Sequence, residues 1–185
     1  QGRRRKDRES GQGLMPTWPK IVELRTAGVL GGDVAGETRV AAMRHGVRLS
    51  GLCGNVWPAN DDGLHRLVAD AIVRELTDFS LYARRYMELM GVKEGVVSDG
   101  PLISIKDDGK FEKDVWTAVN RILHAARLDA QFATSEPEKH DHLGDLHFVQ
   151  VKVTSKQMAT VNVCPQGLFY GFMRDDLSVR AKEGG

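Results

Sequence analysis

The apolar residues of this chain recur at helical spacing through its middle and at alternate positions in its last third, and that change of period decides what it can fold into. After Asn60-Asp61-Asp62, whose side-chain oxygens can cap free amides, Leu64, Leu67, Val68, Ala71, Ile72 and Leu76 follow at helical spacing, with Arg66, Asp70 and Arg74 on the other side. Phe79, Tyr82, Tyr86, Leu89 and Met90 repeat the pattern until Gly91 closes it, which predicts two helices in a hairpin with a short joint. A third helix is predicted from about Lys110 to Leu128, its stripe running through Phe111, Val115, Trp116, Val119, Ile122, Leu123 and Ala126. "GPLISIKDDGKF" reads as a strand and a turn at Asp108-Gly109, and "LDAQFAT" as a strand. "DLHFVQVKV", "MATVNV" and "GLFYGFM" then read as three antiparallel strands of a meander. Upstream, "TRVAAMRHGVRLS" predicts a strand pair or a strand after a turn, and "PKIVELRTAG" a short helix or strand. Helices before strands make this an α+β chain, with an N-terminal helical half packed on a C-terminal antiparallel sheet.

At 185 residues the chain suffices for one core, and 41% hydrophobic with 28% charged residues are globular values. The net charge of +1 gives no overall field toward nucleic acid or membrane, but Arg3, Arg4, Arg5, Lys6 and Arg8 crowd the N-terminus. Residues 1–18 read as a flexible basic arm, 19–180 as a single α+β domain and 181–185 as a tail. No apolar run approaches the roughly 18–20 residues needed to cross a bilayer, so no membrane partner is expected. The two cysteines, Cys53 and Cys164, make no disulfide framework and no CxxC pair, which points to a reducing, cytoplasmic setting. "GVLGGDVAG" lacks the order of a phosphate-binding loop, and no cofactor is expected.

Cysteine catalysis needs a thiolate, a histidine to form it and a group that orients the ring. Cys53 lies in "SGLCGNVW", where Gly51, Cys53, Gly54 and Trp57 match the stretch around the nucleophile of papain-like cysteine proteases, and the chain resembles that superfamily in its plan of an early cysteine and a later histidine on a sheet. Val56 stands where that family has its second cysteine, so in that register the chain is an inactive relative. The looser pattern of viral leader proteases, Gly-x-Cys followed by an aromatic, makes Cys53 itself the candidate. Those enzymes cut at their own C-terminus, commonly after Gly, which suits Gly184 and Gly185. The helix "LHRLVADAIVREL" is also similar to ovarian-tumour-type deubiquitinases. The resemblance implies His147 as base and Asn162, fifteen residues on, as its orienting partner, with His124 as a rival base. Against this, "GNVWPANDDG" holds too many breakers to start a helix at Cys53, and no Gln or Asn lies between Gly13 and Cys53 to stabilise an oxyanion. The other reading of Cys53 is a buried thiol packed near Trp57.

"EKHDHLGDLH" places His140, Asp141, His142, Asp145 and His147 close together, at a density that suits a divalent ion or simply a solvated loop. The arginine arm, extended by Arg39, Arg44, Arg48, Arg84 and Arg85, suits RNA phosphates, although 6% aromatic content argues against base stacking. Two functions are therefore expected. One is a papain-like cysteine protease domain of a polyprotein, acting on a peptide or its own precursor. The other is a non-catalytic α+β subunit of an RNA-containing assembly, anchored by its basic arm.

Overall fold

The computed structural model describes residues 33–58, 62–92, 104–106, 111–112, 114–134, 145–157 and 159–174. The basic arm, the limits of the expected domain at 19 and 180, the Gly-Gly end, the turn at Asp108-Gly109 and the histidines of the 140–142 stretch lie outside these residues.

The elements are α1 (Val34–Gly54), β1 (Val56–Pro58), α2 (Asp62–Leu89), β2 (Ser104–Lys106), β3 (Phe111–Glu112), α3 (Val115–Leu123), β4 (Arg127–Thr134), β5 (Asp145–Thr154), β6 (Thr160–Val163) and α4 (Pro165–Arg174). The class is α+β with an antiparallel sheet, as the change of period predicts. No helix among the described residues is long and apolar enough to cross a membrane.

The expected helical hairpin is instead one helix of 28 residues. Thr77, Asp78 and Ser80 look like a joint in the sequence, but no Gly or Pro interrupts this stretch. The Thr77 hydroxyl donates to the Val73 carbonyl at 2.8 Å and that of Ser80 to Leu76 at 2.7 Å, so both groups are satisfied inside the helix. Gly91 closes it as expected, with φ of 71° and Val92 N–H reaching back to the Met87 carbonyl at 2.9 Å.

Two segments expected as strands are helices. α1 replaces the strand pair, burying Thr38, Ala42, Gly46, Leu49 and Cys53 along one face at spacings of three and four. α4 replaces the last strand: Pro165, lacking an N–H, opens it, and Leu168 and Phe172 point inward four residues apart. "GLFYGFM" is rich in aromatic residues that favour strands, yet Gly46 makes room for the segment to pack as a helix. A Cβ on Gly46 would lie 2.2 Å from the Phe169 ring. Phe169 then meets Phe79 edge-on at 5.9 Å, and Phe172 meets both Phe79 at 5.5 Å and Tyr86 at 5.9 Å.

The third helix is shorter than expected. Asp114 caps it by accepting from Trp116 N–H at 3.0 Å and Thr117 Oγ1 at 2.7 Å, and Phe111–Glu112 is drawn instead into a strand beside β2.

In the sheet, β5 pairs along one edge with β4 and along the other with β1 near its start and β6 near its end; β2 and β3 continue beyond β6. Gln131 faces Gln150 but Phe132 faces Phe148, so Val149 bulges out of the ladder with β4. Directly opposed residues share a face. Val151 and Val153, opposite Ala130 and Leu128, are buried under the helices, and beyond the bulge Phe148 stays on that face opposite Phe132. His147, opposite Ala133 and Val56, is turned to the other face.

Gly46→Val should therefore lower stability by about 1–3 kcal/mol through overpacking against Phe169. Gly51→Ala, with nothing within 4 Å of the added methyl, should raise it by about 0.5–1 kcal/mol. Urea unfolding of the two variants checks both.

Candidate functional site

Cys53 occupies the last turn of α1 and is buried in the main core cluster. Burial, and secondarily the nearby Cys164, push its thiol up from 9.0 to about 12. The carbonyl end of a helix adds in the same direction, opposite to the amide end that activates nucleophilic thiols. The sulfur is accordingly protonated throughout the physiological range. This matches the reading of Cys53 as a packed thiol, and Trp57 also packs against the core cluster.

The structure does not bring Cys53, His147 and Asn162 together. His147 is exposed on the sheet face away from the helices, the layer that buries Cys53. Asn162 lies opposite Lys152 and Ile105, five positions along β5 from His147, which at strand rise is roughly 16 Å. The interval of fifteen residues fixes sequence distance only; the hairpin register places the two side chains far apart along the sheet. His124, the rival base, ends α3, where Arg84 Nη1 donates to its Nε2 at 3.3 Å. Among the described residues no group of three or more His, Cys, Asp or Glu is placed to hold a metal ion. His140, Asp141 and His142 fall outside them, as do Arg3, Arg4, Arg5, Lys6 and Arg8.

A cleft of about 1040 Å³ opens instead between α3 and the β5–β6 hairpin. α3 contributes Trp116, Arg121 and His124, and the hairpin contributes Ser155, Lys156 and Gln157. No Asp or Glu is among the described residues lining it. Thr117, Arg121 and His124 follow at helical spacing and form a polar stripe on α3 that shares the cleft with Trp116. The hairpin is held by Ser155 N–H donating to the Ala159 carbonyl at 2.9 Å, while the buried Ser155 hydroxyl has no hydrogen-bond partner among the described residues. Arg84 completes the surroundings: its Nε donates to Glu88 Oε1 at 3.0 Å and its guanidinium lies 5.8 Å from the centre of the Trp116 ring.

Sequence reasoning assigned Trp116 to the apolar stripe and passed over Arg121, Ser155 and Lys156. The signal present was the polar stripe on α3 beside a tryptophan; Ser155 and Lys156 carried none, because only pairing of β5 with β6 brings them to α3.

Through its described residues the cleft supplies positive charge, hydrogen-bond donors and an aromatic ring. It suits binding of an anion that carries a flat ring. No family model, curated protein or solved structure matches the chain.

The shift at Cys53 gives a stability signature. Its folded form holds the proton more tightly than the unfolded chain, so its contribution is fully present below pH 9.0 and is lost as pH rises toward about 12. Cys53→Ala should be less stable than the parent by about 1–2 kcal/mol at pH 7. The gap should narrow in alkaline urea titrations, and iodoacetamide should label native Cys53 far more slowly than the unfolded chain.

Proposed function

We propose that this chain is a non-catalytic, RNA-binding α+β module of an RNA-containing assembly. The observation that carries the reading is the cleft between α3 and the β5–β6 hairpin, with Arg121 and Lys156 on its walls and no carboxylate among its described lining residues. Fixed cations in a concave site attract phosphates and release their counterions on binding, a source of affinity that needs no chemistry. Residues 3–8, with four arginines and a lysine, add positive charge that suits phosphates. A cysteine endopeptidase draws less support, because its sulfur would have to ionise inside an apolar core and meet an imidazole on the opposite side of a sheet.

Fluorescence anisotropy of a labelled 20-nucleotide RNA with the full chain tests this. Affinity should fall linearly with salt on logarithmic axes. Arg121→Gln combined with Lys156→Glu should weaken binding about tenfold or more and reduce the salt slope by about 1–2. Removing residues 1–10 should weaken it further. Binding that is absent at micromolar protein, or unchanged in the double variant, would overturn the reading.

A further inference from the structure

We infer that the cleft is a subsite for single-stranded RNA, in which one nucleobase stacks on Trp116 while the adjoining phosphate is held between Arg121 and Lys156. This rests on the RNA-binding reading and specifies which form of RNA the site takes.

The dimensions favour a strand over a duplex. A volume of about 1040 Å³ is that of a small-ligand site and accommodates a few nucleotides. Duplex recognition instead runs over successive grooves of an A-form helix and uses shape rather than an enclosed aromatic. The ring is also preorganised. Asp114 fixes the backbone of Trp116 at the first turn of α3, and Arg84 is steadied by Glu88 and reaches both His124 and the indole. The ring packs in part against the core, carries the Arg84 guanidinium beside it and borders the cleft, as in single-strand sites where cations and aromatic rings act together.

The phosphate position follows from charge. Trp116 and Arg121 are five residues apart, about 7.5 Å along the helix axis, which is close to the reach from a base to its own phosphate. The carbonyl end of α3 repels an anion, so Arg121 offsets that field while Lys156 approaches from the facing hairpin. Gln157, at the exposed end of the hairpin, carries an amide suited to a base edge.

The test compares the full chain with U10, A10 and a ten-base-pair RNA duplex at one salt concentration, reading both anisotropy and tryptophan emission. The single strands should quench emission, and Trp116→Phe should abolish most of that quenching despite the presence of Trp18 and Trp57. Trp116→Ala should weaken single-strand binding about 5- to 150-fold and leave duplex binding nearly unchanged. Trp116→Phe keeps an aromatic ring on α3 and serves if the alanine variant unfolds. Equal affinity for strand and duplex, with Trp116→Phe quenching like the parent while Lys156→Glu still weakens both, overturns the single-strand assignment and leaves RNA binding standing. Failure to bind either form overturns both.

Discussion

The seating of Phe169 on Gly46 is the contact on which the helical layer depends. It draws α4 against α1 closely enough for Phe169 and Phe172 to reach Phe79 in the long central helix, and Phe172 to reach Tyr86. Aromatic edges then bridge helices that small residues alone would pack too thinly. The same layer covers Val151, Val153 and Val163, so the inner face of the sheet is dry where these helices lie. Cys53 and Cys164 stand at the end of α1 and just before α4, and their nearness follows from this packing.

The fold was legible where one periodicity ran unopposed. The helical face from Leu64 to Met90, the glycine stop at Gly91 and the alternation from Asp145 into β5 all read directly, because each residue's preference agrees with its place in the fold. Legibility failed where the reason for a residue lay elsewhere in the chain. Gly46 looks like a breaker until Phe169 is opposite it, and "GLFYGFM" looks like a strand until that ring has a glycine to sit on. Thr77 and Ser80 look like a joint until their hydroxyls are seen bonded within the helix.

The site was less legible than the fold. Cys53 drew attention because its neighbours match a known nucleophile motif, but a motif does not report which end of a helix it occupies. The amide end of a helix would have favoured the thiolate; the carbonyl end and a dry core favour the thiol. The cleft had the opposite difficulty. Its cations come from a helix and a hairpin more than thirty residues apart in sequence, and neither stretch is unusual by itself.

The unpaired Val149 in β5 has a consequence for how this chain tolerates changes in length. Because a strand alternates sides at every residue, an extra residue would flip the segment from Asp145 to Phe148 if it stayed in the ladder; bulging out at Val149 lets that segment keep its inside and outside. Losing that residue would leave Gln150 and Phe148 as chain neighbours opposite Gln131 and Phe132, and the ladder would become regular with each side chain still on its own face. A lineage carrying this strand can therefore exchange the residue at 149 or drop it without a compensating insertion nearby.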